Sequence, residues 1–394
     1  MVERYRLVLS APGCARVFVT ALVGRLPQGM SSLAILLLVR SKTGSYAAAG
    51  IAVGAFALAT AAGAPFQGRL VDRFGRRRVL APFAVAQALA FAGLVVAANN
   101  GAGTVVLVAL AAVAGGLLPP IAPTVRALLR EILEDPELRE TAYSLESVIQ
   151  ELIWITGPLL VAVVIALTSP SAAVLLGGVV CIAGTLLFVS SPLARGAGSR
   201  AAPHERTPVL AIPELRTLLG PIALMGVGLG ALEVGLPSLA LHAGSRPSSG
   251  LLLALWSLGS MTGGLWYGSR TWRAPLSVRY RTLLLAGMAC VAPLIFARTI
   301  PEGAVGAFLA GLTTAPVFSC QYALIGRAVT PGVETEAFTW VSAALISGLA
   351  VGSALGGAAV GAGGVSAPFI LASAATGLAA LSAVRMHSRV GQPA

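Results

Sequence analysis

The chain alternates long apolar runs with short polar patches. Each run approaches the roughly 20 residues that a helix needs to cross a bilayer. Twelve runs can be marked, at 15–39, 47–67, 79–98, 104–127, 143–168, 172–191, 217–243, 249–268, 283–299, 303–326, 337–360 and 366–384, and each predicts a transmembrane helix. Residues 192–216, PLARGAGSRAAPHERTPVLAIPELR, interrupt this rhythm after the sixth run with a stretch rich in Pro, Ala, Arg and Gly. The expected organisation is therefore a six-helix bundle over 1–191, a linker over 192–216 and a second six-helix bundle over 217–394. The stretch before the first run has no small-residue cleavage site after a short apolar segment. That run is expected to be a retained span and not a signal peptide.

Composition agrees with an all-α membrane protein. Charged residues make up 11% of the 394 and hydrophobic ones 56%, with a mean hydropathy of +0.86; a soluble domain carries about a quarter charged residues. The 46 glycines are scattered through the apolar runs, where small residues let helices approach closely in lipid. A net charge of +12 raises the question of nucleic acid. The distribution of that charge argues against it. Lys42 is the only lysine, and the arginines fall in alternate loops. With a cytoplasmic N-terminus, 22 of the 27 basic residues lie on the inner side and 4 on the outer, and Arg25 lies inside the first span. Positive residues favour the cytoplasmic side, so both termini, residues 68–78 and residues 192–216 are expected inside and residues 244–248 outside. The partner is then the bilayer of the cell membrane.

Other chemistry is sparse. Cys14, Cys181, Cys290 and Cys320 fall in or at the edge of apolar runs, without paired loop spacing, and read as small packing residues. His204, His242 and His387 are widely separated, with His242 expected at the outer end of the seventh helix. There is no H-E-x-x-H, and no G-x-x-x-x-G-K-[ST] for ATP. No catalytic set, metal site or cofactor is expected.

The two halves repeat. Sliding the chain by 195 residues aligns residues 111–161 with 306–356 without a gap. Gly116-Leu117 falls on Gly311-Leu312, Pro136 on Pro331, Ala142-Tyr143-Ser144 on Ala337-Phe338-Thr339, Ser147 on Ser342 and Gly157 on Gly352. Further upstream, Gly68 falls on Gly263 and Asp72 on Tyr267. Parallel six-helix repeats characterise one architecture of secondary transporter.

Residues 68–80, GRLVDRFGRRRVL, form the short loop between the second and third spans. The pattern G-x-x-x-D-R-x-G-R-R-R, carried by Gly68, Asp72, Arg73, Gly75, Arg76, Arg77 and Arg78, resembles the loop signature of the major facilitator superfamily. The resemblance implies a fold of twelve transmembrane helices in two pseudo-symmetric six-helix bundles. It also implies that Asp72 approaches the start of the eleventh helix, VETEAFTW at 333–340, where an anion is favoured at a helix N-terminus. Glu334 and Glu336 at that end are expected to engage Arg76, Arg77 or Arg78 across the domain boundary and hold the cytoplasmic side shut. Glu131, Glu134 and Asp135 offer further partners.

Gly157-Pro158 in the fifth run resembles the centre of the family's antiporter motif and predicts a kink, because Pro removes a helical hydrogen bond. Ile153 and Leu160-Val161 depart from that motif. The family's fourth-helix arginine has no counterpart in LAAVAGGLLPP, 110–120; Pro119, Pro120 and Pro123 are expected to break the helix there instead. Arg25 and Glu151 lie at similar depth in the first and fifth helices and are expected to pair, which would offset a lone-charge cost of about 3 kcal/mol. Glu146 lies lower on the fifth helix and Glu233 high in the seventh. Gln28, Ser31, Ser32, Gln150, Trp154, Gln321 and Tyr322 are further cavity candidates, too few for a sugar site and better suited to an amphipathic organic solute.

The resemblance implies a secondary transporter and not an enzyme, expected to act as a monomer on a small-molecule substrate by alternating access, with efflux of a drug or metabolite as the leading reading. Without the family's fourth-helix arginine, the chain is expected either to couple to protons in a different way or to lack proton coupling. Uptake of a small metabolite is the alternative. A non-transporting receptor or scaffold, or a membrane-embedded enzyme on the same fold, is the reading from another class, since fold does not fix function.

Overall fold

A computed structural model describes residues 2–195, 208–245 and 248–383. The middle of the linker, 196–207, lies outside the described residues, as do Arg246 in the 244–248 loop and the C-terminus from residue 384. Fifteen α-helices follow in order among the described residues: α1 (Val2–Ser10), α2 (Cys14–Thr43), α3 (Tyr46–Phe74), α4 (Arg76–Asn99), α5 (Thr104–Gly116), α6 (Ile121–Ile132), α7 (Pro136–Leu167), α8 (Pro170–Ser190), α9 (Pro192–Arg195), α10 (Pro213–His242), α11 (Ser248–Gly268), α12 (Leu276–Val291), α13 (Ile300–Ala328), α14 (Glu334–Gly363) and α15 (Ala367–Ser382). Ten segments are long and apolar enough to cross a membrane, α5 and α6 counting as one of them. Together with α11 and α15 they make the twelve helices of the bundle. α1 is an addition to the expected spans. It packs on α7 and lies outside the twelve.

The fourth run is broken, and the break is narrower than its three prolines allow. Helix stops at Gly116 and resumes at Ile121. Pro119 and Pro120 sit in the gap, whereas Pro123 lies in the first turn of α6, where a missing N–H costs nothing. Prolines lie inside α2, α3, α4, α7, α10 and α13. In a membrane the carbonyls they free must face protein or water.

Helices pack through glycine. A Cβ on Gly157 would stand 2.5 Å from the backbone carbon of Gly29, so α7 crosses α2 almost backbone to backbone. Gly157 is thus a close-packing position. Gly352, its counterpart 195 residues on, does the same for α14 against α10, where a Cβ would stand 2.1 Å from the Val227 carbonyl.

The buried core has a lopsided shape. One large cluster draws residues from both halves, including Val71, Leu129, Tyr143, Tyr267, Tyr322 and Phe338, and sits toward the end of the bundle that carries the α3–α4 turn. At the opposite end the core divides. Met30, Phe56, Phe91 and Leu107 belong to a cluster drawn from the first half alone. Leu236, Leu252, Leu294 and Phe369 belong to one drawn from the second half alone.

Candidate functional site: a buried charge cluster above a clamped end

α7 works with two faces. Glu146, Gln150, Ile153 and Gly157 recur at helical spacing and turn toward α2. Ser144, Val148 and Glu151 turn toward α11. On the first face, Arg25 of α2 pairs with Glu146, with Nη1 3.0 Å from Oε1, and donates a second hydrogen bond to Gln150. Arg126 of α6 reaches the same Glu146 oxygen at 3.1 Å, lays its guanidinium 3.9 Å from the centroid of the Tyr322 ring, and donates to Ser342 at 3.4 Å. Arg25, Arg126 and Glu146 are at most 4% exposed. Two cations therefore share one buried carboxylate. The Nε of Arg25, Oε2 of Glu146 and Nε2 of Gln150 are buried without a partner. A cluster of this kind holds its charges by mutual pairing at several kcal/mol of desolvation each, and its idle donors and acceptor can serve a ligand.

The expected Arg25–Glu151 pair is not formed. Depth along the bilayer was a fair guide, but azimuth decides the partner. Glu151 stands five residues, and so about 140°, around α7 from Glu146. It faces the other half, where Ser260 donates to its Oε1 at 2.9 Å. The expectation of no fourth-helix arginine also needs correction: residues 110–120 are uncharged, but Arg126 supplies a buried guanidinium just beyond the break. It reads in the sequence as one more topogenic arginine. The 195-residue slide carried the missing signal, because it sets Arg126 on Gln321, a position already marked as a cavity candidate.

Of the remaining candidates, Gln321 donates to the Tyr280 hydroxyl at 3.0 Å within the second half. Tyr322 packs edge-on to Tyr143 and Phe338 at the junction of the halves. The side chains of Gln28, Trp154 and Glu233 make no hydrogen bond or ion pair among the described residues, and Trp154 and Glu233 are exposed. Ser31 bonds back to the Pro27 carbonyl at 2.6 Å. His242 ends α10 and is exposed.

The end with the α3–α4 turn is clamped. Both carboxylate oxygens of Asp72 accept backbone N–H groups at the start of α14, from Thr335 at 3.2 Å and Glu336 at 2.8 Å. This puts an anion on a positive helix end. Gly68 makes the approach possible: a Cβ there would stand 2.5 Å from the Thr339 hydroxyl and 2.9 Å from the Glu336 Cα. Gly75 turns the chain with φ 89°, a conformation that disfavours a side chain. The acids of α14 choose other arginines than expected. Glu336 pairs with Arg69 at 2.7 Å and Glu334 with Arg130 at 2.9 Å. Arg76 is buried against Glu131 inside the first half, and Arg73, Arg77 and Arg78 are exposed. The reason is geometric. Arg76 to Arg78 open α4, whereas Arg69 lies one turn before Asp72 on the helix that meets α14. Asp135 caps α7 by accepting from Glu137 N–H at 2.8 Å, and the Glu134 carbonyl accepts from Arg139 at 3.0 Å.

Other cross-half contacts lie at the same end. Ser144 donates to the Gly264 carbonyl at 2.5 Å, Tyr5 to the Leu265 carbonyl at 2.9 Å, and Arg279 to Glu140 at 2.8 Å. Among the described residues, the hydrogen bonds, ion pairs and ring contacts between the halves all fall between this end and the level of Glu151 and Ser260.

Twelve apolar helices with a charge cluster buried between them define a multi-pass membrane protein of the transporter kind. The chain belongs to the Major Facilitator Superfamily, whose model matches residues 17–300, a family of transporters and not of enzymes. No curated protein sequence matches it. Among solved structures it is similar to the human organic anion transporter MFSD10 (TETRAN), at 18% identity and a TM-score of 0.74 over 94% of this chain and 99% of that one. It is similar to a bacterial homologue of the iron transporter ferroportin in its outward-facing state, at 15% identity and a TM-score of 0.77 over 95% and 99%. The E. coli fucose:proton symporter aligns at 12% identity with a TM-score of 0.72 over 96% and 99%.

Proposed function

We propose that this chain is a secondary active transporter that exports a small organic solute across the cell membrane by alternating access. In this reading the halves 1–191 and 217–394 rock about a midplane site, tethered by the 192–216 linker. The termini and the arginine-rich end are cytoplasmic and the protein works as a monomer. The observation that carries the reading is the lopsided core: one cluster joins the halves at the arginine-rich end, and two separate clusters stand at the other. A protein closed inside and divided outside is one stage of such a cycle, and the likeness to an outward-facing relative supports assigning it to this stage.

The solute site in this proposal is built on Arg25, Gln150, Arg126 and Glu146, with Tyr322 from the other half and Gln28, Trp154, Glu233 and Gln321 as further contributors. The unpartnered polar atoms there suit the polar end of an amphipathic solute, and the apolar walls suit its body. The likeness to an organic anion transporter fits a site rich in guanidinium groups. Glu151 is the proposed proton carrier, because a proton bound or released there alters a hydrogen bond that joins the halves. Asp72, Gly68, Arg69, Glu334 and Glu336 form the cytoplasmic gate. Gly157-Pro158, through its resemblance to an antiporter motif, supports export.

Solute flux in proteoliposomes under an imposed proton gradient tests this. The expected result is gradient-driven solute movement that Glu151→Gln abolishes while the protein stays folded. Movement indifferent to the gradient would remove the coupling. Solutes that raise the unfolding temperature but never cross would favour a receptor.

A further inference from the structure

We infer that a second site, at the arginine-rich end and separate from the charge cluster, binds a phosphate-bearing anion that bridges the two halves. A cavity of about 240 Å³ opens there between α1, the start of α7, the α11–α12 turn and the end of α13. On the same measure about 10–15 Å³ already admits one water, so a phosphate group fits with room for what it is attached to. None of Arg25, Arg126, Glu146 and Gln150 lines it.

Its charge is unbalanced. Arg4, Arg270, Arg273, Arg279 and Arg327 line the cavity against Glu137 and Glu140 alone, a net charge of +3. Glu140 is already divided between two of them, holding Arg279 at 2.8 and 3.1 Å and Arg327 at 3.2 Å. Glu137 holds Arg4 at 3.2 Å and is largely exposed. Arg270 and Arg273 meet no carboxylate among the described residues, although Arg270 lies 4.7 Å from the Trp266 ring centroid. Exposed arginines alone would be a solvated face. Arg279 is different. It is 7% exposed, and its Nε is buried without a hydrogen-bond partner. The Nε of Arg4 is in the same condition. Buried guanidinium N–H groups left idle carry a desolvation penalty. They match an oxyanion, which guanidinium groups hold through paired hydrogen bonds.

The lining comes from both halves. Arg4, Glu137 and Glu140 belong to one, while Arg270, Arg273, Arg279 and Arg327 belong to the other. A ligand that needs both sets binds the clamped state more tightly than a state in which they part, and so shifts the population toward the clamp. The same chemistry is offered by an anionic lipid headgroup at the membrane surface and by a free phosphate compound.

The test uses the full chain in nanodiscs, with thermal unfolding as one readout and spin-label distances across the adjoining ends of α3 and α14 as the other. In phosphatidylcholine discs, inorganic phosphate is expected to raise the unfolding temperature and enrich the short distance. The same response in phosphatidic acid discs without phosphate identifies a headgroup as an occupant, and a response to phosphate alone identifies the free compound. Arg270→Ala with Arg273→Ala, both exposed, is expected to raise the half-saturating concentration at least tenfold. Arg16→Ala with Arg216→Ala, which removes as much charge from exposed positions off the cavity, is expected to leave it unchanged. Arg273→Ala alone serves if the double variant does not fold. No response to either probe, or equal weakening by the two charge removals, overturns the site.

Discussion

The two halves share a backbone plan and differ in their interiors. The slide of 195 residues that sets Gly157 on Gly352 also sets Arg126 on Gln321, Glu146 on Val341 and Glu151 on Ile346, and carried upstream it sets Arg25 on Gly220. The charge lies in the first half, and the second supplies the wall it faces: Tyr322 under Arg126, and Ser260 against Glu151. The loops divide in the same manner. Asp72 caps α14, whereas its counterpart Tyr267 turns inward to accept from Arg279 at 2.6 Å. Repetition conserves how helices cross, because a bundle needs close packing in both halves. The chemistry is concentrated in one half, where a buried charge needs its counter-charge within reach.

The strongest way to break this comparison is to make the first half resemble the second. Glu146→Gln leaves Arg25 and Arg126 buried without their shared counter-charge, which should cost roughly 3–5 kcal/mol if the cluster is dry. A steep fall in unfolding temperature in detergent is expected, with substantial recovery on adding Arg25→Met. A single variant as stable as the parent would mean that water already solvates the cluster.

The paired glycines sharpen it. A Cβ on Gly263 would stand 1.9 Å from the Leu312 carbonyl, inside the second half, whereas a Cβ on Gly68 meets α14 across the divide. Gly263→Val should therefore lower stability by about 1–3 kcal/mol through overpacking. Gly68→Val should leave unfolding nearly unchanged and lengthen the distance between the adjoining ends of α3 and α14. Equal loss of stability in both would erase the distinction between packing within a half and contact between halves.

Asp72→Asn is the gentlest probe. It removes a charge from a helix N-terminus, worth about 0.3–1 kcal/mol, enough to move a near-balanced equilibrium severalfold and too little to unfold the bundle. Spin-label distances should shift toward the separated state, with transport reduced to match. Unchanged distances together with unchanged transport would reduce the loop to a signal for topology.

The hydrophobic runs determined the all-helical class and the twelve crossings, because lipid demands an apolar surface and an internally satisfied backbone over a fixed length, and the prolines after Leu118 determined the break in the fourth helix. The loop at 68–78 was legible as a family signature, and from that resemblance Asp72 could be placed at the start of α14, where helix polarity favours an anion. Partner choice could not. Which arginine meets Glu146, Glu334 or Glu336 depends on how far around its helix each residue lies and how closely that helix approaches its neighbour, and periodicity within one segment carries no information about the rotation of another. Arg126 shows the limit most plainly. In the sequence it stands among the arginines of an inner loop. Only the packing of α6 against α2, α7 and α14 turns it inward, buries it beside Glu146, and makes a topological charge into part of the buried cluster.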